Sequence, residues 1–184
     1  MISSLPLRFL LSFLALSATL LSCSETDINQ AKLVSNNTTL PLETGTDVVI
    51  NYTDSGRTKA SIKAPLLERY ANDEKNQTEM RKGIKVEFLD KTGKIESFLT
   101  AKYAIRFDRD KKMMARNDVI VLNTNGYTLR TEELYWDELS QKVYSNKFVK
   151  ITTKDEIIMG EGFESDVSFL KPKVFKIKGI VNLK

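Results

Sequence analysis

The sequence predicts an all-β domain, and three observations carry that prediction. From Asp47 onward, apolar and polar residues alternate in runs of strand length. Turn-forming clusters separate the runs: Asp54-Ser55-Gly56, Lys91-Thr92-Gly93 and Asn123-Thr124-Asn125-Gly126. No window there has the three- and four-residue apolar spacing of a long amphipathic helix; Ala71 to Met80 comes nearest and is polar throughout.

The elements before the domain come first in the chain. Arg8 is the one charged side chain among residues 1–22, and Phe9 to Leu21 run without charge, Pro or Gly. As a helix those residues span about 20 Å, short of the ~30 Å hydrocarbon core. A basic start followed by a short apolar segment predicts a secretory signal over residues 1–22. It ends in Leu20-Leu21-Ser22-Cys23, which resembles the bacterial lipobox, so Cys23 is expected to be lipidated as the first residue of the mature chain. Residues 23–46 have no aromatic and many Ser, Thr, Asn and acidic residues, and read as the anchor and a flexible linker. The linker's typical span is roughly 25 Å.

The β-domain is expected over 47–184. Its clearest run is residues 94–108, KIESFLTAKYAIRFD. One parity holds Ile95, Ser97, Leu99, Ala101, Tyr103, Ile105 and Phe107; the other is mostly polar and charged, which predicts one strand with a single apolar face. Ile84-Val86-Phe88, Tyr127-Leu129-Thr131, Val149-Ile151 and Phe175-Ile177 alternate in the same way. The Asn-Gly of the third turn is a strong hairpin signal.

A repeat underlies the pattern. Phe107-Asp108 and Trp136-Asp137 share one offset with Asn117 and Asn146, and with Val119 and Phe148. Ser165-Asp166 continues the phase, with Phe163 standing where the preceding unit has Leu134. Ala64 to Tyr70 opens an earlier unit. Strand, turn and strand repeated about four times predict a stacked array in which each unit covers its neighbour's apolar face.

Composition narrows the chemistry. The 184 residues include no His and one Cys. Imidazole bases, Ser-His and Cys-His nucleophiles, His-ligated metals and intramolecular disulfides are thereby excluded. Without residues 1–22 the chain has 27 basic against 24 acidic side chains, too even and too interleaved for a nucleic-acid partner. Glu132 and Glu133 are adjacent and would point to opposite faces of a strand, so they form no carboxylate pair. Asp108-x-Asp110 lacks the further oxygens of a calcium loop. The repeated Asp108, Asp137 and Asp166 read as turn formers, and Gly160 and Gly162 as sites of a bulge or close strand approach. Neither a catalytic residue, a metal site nor a cofactor is expected.

Three segments in order carry a family resemblance: Leu129 to Asp137, Val143 to Val149, and Gly160-Glu161-Gly162-Phe163-Glu164-Ser165-Asp166. They resemble the OstA-like lipopolysaccharide-transport superfamily. With an N-terminal anchor and the closing Phe175 to Gly179 run, the chain is similar to the LptC family over roughly residues 47–181. The resemblance implies an open, twisted β-jellyroll of V-shaped stacked antiparallel strands with an apolar interior. It implies lipopolysaccharide held by its acyl chains, an inner-membrane ABC transporter as donor, and a periplasmic bridge protein pairing with a terminal edge strand. The best-known members keep a transmembrane helix; here the apolar segment ends at Cys23, so the expected location is the periplasmic face of the inner membrane through lipid alone.

The lipid-groove candidates are the alternating apolar residues Val86, Phe88, Leu99, Tyr103, Ile105, Phe107, Leu129, Trp136, Val149, Ile151, Phe163, Phe175 and Ile177. Ordinary core packing asks for the same residues, and Phe107 and Trp136, beside the repeated Asp, also suit strand corners. A tethered β-domain that binds polysaccharide or serves as an envelope scaffold is the alternative reading. No carboxylate spacing supports a hydrolase.

Overall fold

A computed structural model describes residues 40–71 and 76–183. The expected signal, Cys23 and the linker as far as residue 39 lie outside the described residues. All regular elements within them are strands, joined in one antiparallel sheet of 12. In chain order these are β1 (Glu43–Asp54), β2 (Arg57–Ala71), β3 (Asn76–Met80), β4 (Ile84–Leu89), β5 (Ile95–Ala101) and β6 (Tyr103–Phe107). β7 (Lys112–Asn123), β8 (Thr128–Asp137), β9 (Lys142–Thr152), β10 (Glu156–Asp166), β11 (Lys173–Val174) and β12 (Ile177–Asn182) follow. β1 begins four residues ahead of the change of pattern at Asp47, and Glu43 to Thr46 pair with Leu66 to Arg69.

The pairing is an up-and-down meander of long, bent passes. β1 pairs β2, which pairs β4 through Ala60 to Lys63 and β3 through Glu68 to Ala71. β4 pairs β5, and β3 pairs β6; both β5 and β6 then pair β7. β7, β8, β9 and β10 follow in succession, and β10 carries β11 and β12 on its far side. So β3 with β4, β5 with β6, and β11 with β12 are each one pass broken at a bend.

The bends align across the sheet. The break at Lys102, whose amide donates to Asn117 O at 3.0 Å, faces the bulge of β7, where Asn117 and Asp118 have φ of 64° and 59°. Asn and Asp tolerate that region better than other side chains do. Register shifts between Thr131 and Tyr135 and between Glu161 and Phe163 continue the line, the latter at Gly162 with φ 86°. Gly160 is needed for closeness: an added Cβ would lie 2.6 Å from Val174 Cγ1 and 2.7 Å from Phe175 O. The sequence repeat is therefore one out-and-back pair of passes, with aromatic-Asp at its outer turn.

The turns use their Asp residues as local acceptors. Asp137 Oδ1 accepts the amides of Leu139 and Ser140, each at 3.0 Å. Asp166 Oδ1 accepts from the Leu170 amide at 3.1 Å and Ser168 Oγ at 2.8 Å. Asp90, in the β4–β5 turn, accepts the amides of Thr92 at 2.7 Å and Lys94 at 3.0 Å. Asp108 departs from this pattern, since its Oδ1 takes the Arg106 guanidinium at 2.5 Å.

Two of these turn residues, Asp137 and Asp90, set an acid limit on stability. The Asp137 carboxyl is held below its ordinary range chiefly by the Ser140 amide, and that of Asp90 chiefly by the Thr92 hydroxyl. A depressed folded pKa gives stability that is present above the unfolded value near 4 and lost as pH falls through the folded one. Glu96 works oppositely, since burial raises it, so its contribution fades as pH rises. The melting temperature should hold down to about pH 5 and fall below about pH 4. Asp137→Asn should shallow that acid limb in a calorimetric pH series; an identical acid limb would refute the assignment.

Candidate functional site

The inner face of the sheet carries one aliphatic ladder from edge to edge. Ile50, Ile62, Val86, Leu99, Val121, Leu129, Ile151, Ile158 and Ile180 are successive register partners on nine neighbouring passes. The central rungs are buried, from Ile62 at 4% to Leu129 at 0%, whereas Ile180 at the C-terminal edge is 53% exposed. Beyond the bend the same face presents Met80, Ala104, Met113, Ala115, Leu134, Trp136, Val143 and Phe163, all in the same buried core.

The two parts of each pass face one another, because Phe88 of β4 meets Trp136 of β8 with ring centroids 6.3 Å apart. Tyr52 of β1 stands edge-on to the same indole at 4.9 Å. Phe169, fully buried, adds its ring to Phe88 at 5.6 Å and to Phe163 at 6.5 Å. Its amide donates to Asp166 O at 3.1 Å, and Tyr127 Oη donates to its carbonyl. Burial pushes the Tyr127 phenol well above its usual range, so it stays a donor. With these rings in place the middle of the interior retains a cavity of only about 30 Å³, lined by Ile62, Val86, Phe88, Leu99, Trp136 and Phe169 among others. That is the volume of about one water molecule. The middle of the interior is filled where the family resemblance implied an open one.

Space opens toward the N-terminal edge. A groove of about 330 Å³ is lined by Ile50, Tyr52, Leu67, Met80, Met113 and Trp136, with Arg106 and Glu138 at its end. Arg106 Nε lies 2.8 Å from Glu138 Oε1, and this hydrogen bond chiefly holds the guanidinium pKa above its ordinary value. The buried Trp136 Nε1–H meets no acceptor among the described residues. A second depression, about 460 Å³, has Val49, Ala64, Ile84 and Ala101 on its floor and Lys63, Lys82 and Lys85 around it. Glu87 Oε1 joins two of these lysines, at 3.3 Å from Lys63 and 3.4 Å from Lys85; the Lys63 hydrogen bond is the main reason its carboxyl is depressed. An apolar trough with a cationic rim accommodates an amphiphile whose head is anionic.

The groove candidates divide into three sets. Val86, Phe88, Leu99, Leu129, Trp136, Val149, Ile151 and Phe163 all lie in the inner core. Tyr103, Ile105 and Phe107 lie on the opposite face, a correction to the unbroken alternation read from residues 94–108. The break at Lys102 takes up one residue, so Ser97, Leu99 and Ala101 point inward before it and Ala104 and Arg106 after it. Tyr103 instead carries the Arg116 guanidinium 4.2 Å over its ring. Phe175 and Ile177 belong to neither set, being 38% and 56% exposed along the C-terminal edge. Sequence reasoning missed Tyr52, Met80, Met113, Leu134 and Phe169. The alternations Ile50-x-Tyr52, Met113-x-Ala115 and Leu134-x-Trp136 held a signal for most of them; Phe169, in a loop, had none.

A protein-family model described as LptC, lipopolysaccharide-assembly, LptC-related, matches residues 9–180. No curated protein matches the chain.

Proposed function

The chain belongs to the LptC-related family of lipopolysaccharide-assembly proteins, and from that premise we propose that its domain holds lipopolysaccharide by the acyl chains between the two facing parts of the sheet. The family's role is one of transport, not catalysis. On this reading the domain accepts lipid from the inner-membrane ABC transporter and passes it to a periplasmic bridge protein at the C-terminal edge. The observation that carries it is the edge-to-edge aliphatic ladder with a groove at one end. Each buried CH₂ of a fatty chain contributes about 0.8 kcal/mol, which works against the cost of displacing the rings that fill the interior. The Trp136 Nε1–H supplies a donor for an ester, amide or hydroxyl oxygen near the head of such a chain. The lysines around Val49 and Ile84 suit its phosphates.

Photo-crosslinking tests the reading. A photoreactive residue at Phe163 or Leu129 should capture lipopolysaccharide at least several-fold above one at Tyr103, which occupies the other face. Equal capture from Tyr103, or capture of glycan without lipid, would sink it and favour a polysaccharide-binding scaffold.

The anchor is proposed to be Cys23, on the strength of the Leu-Leu-Ser-Cys sequence and the absence of any other cysteine. Several acyl chains on that residue would hold the chain firmly at the periplasmic face of the inner membrane. Metabolic labelling with an alkyne fatty acid should mark the wild type and leave Cys23→Ala unlabelled. Label persisting in the variant would show that the anchor is elsewhere.

A further inference from the structure

We propose that the outer face of β7–β10 lies against an anionic phospholipid bilayer, with Arg130 and Lys150 on its phosphates. The row of side chains behind the aliphatic ladder places like charges directly opposite each other twice. Lys63 is the register partner of Lys85, and Arg130 is the register partner of Lys150. Such pairs destabilise a sheet unless an anion intervenes. Glu87 intervenes for the first pair, touching both lysines. No carboxylate lies within ion-pair distance of Arg130 or Lys150 among the described residues.

Of the other basic side chains along these strands, Lys112 meets Asp137, Lys142 meets Glu164 and Arg116 lies over the Tyr103 ring, while Lys147, exposed on β9, is a further cation with no ion-pair partner among the described residues. The unmatched pair is bordered by apolar side chains that face outward. Ile120 and Met159 complete its row, and Leu122, 48% exposed, and Phe148, 52% exposed, lie on the adjoining strand positions. Cations interleaved with exposed apolar groups match the headgroup level of a bilayer, where the phosphates take the charge and the hydrocarbon boundary takes the side chains. The proposed anchor at Cys23 precedes β1 by about twenty residues, a tether whose typical span is roughly 25 Å. The inference stands independently of what the interior holds.

The test uses the full chain reconstituted in nanodiscs that contain photoreactive phosphatidylglycerol or photoreactive phosphatidylcholine. Cross-links should map to β7, β8 and β9 in the phosphatidylglycerol discs and weaken in high salt. Replacing Arg130 and Lys150 by Gln should lower that signal on the order of 30-fold, from about 1 kcal/mol per basic residue near an anionic surface. The same double change at Arg109 and Lys111, in the β6–β7 turn, should leave it unchanged. Equal labelling by both lipids, or labelling indifferent to the Arg130–Lys150 change, would overturn the proposal. So would loss of labelling on adding lipopolysaccharide with no dependence on phosphatidylglycerol, which would assign the pair to that lipid's phosphates. Because neither residue borders the groove or the lysine depression, failure here leaves the interior crosslinks from Phe163 intact, and the two readings fail separately.

Discussion

Phe169→Ala is expected to cost about 3–5 kcal/mol of folding stability, the range for removing a large aromatic ring from a packed core. In a domain of this size that lowers the melting temperature by roughly 6–20 °C. The ring is fully buried and bridges β4 and β10, although it belongs to neither. Its backbone has φ of 56°, a region costly for a bulky side chain, and is held there by Asp166, Tyr127 and their neighbours. Unlike a strand residue, Phe169 can leave the interior without breaking the sheet, because the carrier is a loop. On the proposed reading the variant should therefore show two effects together: lower stability in urea, and greater capture of lipopolysaccharide from Leu129 or Phe163. A loss below about 1 kcal/mol would show that the ring does not close the core. Lower stability with reduced capture would show that it forms part of the lipid site instead of blocking it.

The inner ladder was legible because one physical rule generates it. Period-two alternation puts Val86, Leu99, Leu129 and Ile151 on one face, and the register then stacks them. The turns were legible for a local reason, since Asp137 and Asp166 satisfy their own following amides. What the sequence could not convey is where alternation slips. Tyr103, Ile105 and Phe107 continue an apolar parity past Lys102, yet the bend there inverts which parity is inside. Their apolar character serves the outer face, where Ile105 lies opposite Met114, both nearly buried, and Tyr103 under Arg116. A bend that consumes one residue leaves no mark in a hydrophobic pattern when both faces are partly apolar. Phe169 was hidden for a different reason: a single ring on a loop has no periodicity to detect.

The exposed last rung gives the second large effect. On the proposed reading, Ile180→Lys should weaken docking of a periplasmic β-jellyroll partner by roughly 10- to 100-fold, the loss of about 1.5–3 kcal/mol from one aliphatic side chain that would otherwise become buried. Every rung from Ile62 to Ile151 is covered by a neighbour on each side, whereas Ile180 has Ile158 on one side and no strand on the other among the described residues. Ile177 and Val181 on the same strand are 56% and 47% exposed. An edge strand with this much apolar surface and unpaired backbone groups invites another strand, and most proteins guard such an edge with charge, proline or cover. A partner strand added in antiparallel register would extend the ladder by one rung and give an acyl chain a continuous apolar path off the domain. Because Ile180 is already half exposed, the lysine should cost the isolated domain little, so a stability change of less than about 1 kcal/mol should accompany the binding loss. Deleting residues 174–184 should abolish docking outright. Unaltered affinity in the Ile180→Lys chain, with its melting curve intact, would place the partner at the β1 edge or on a face of the sheet.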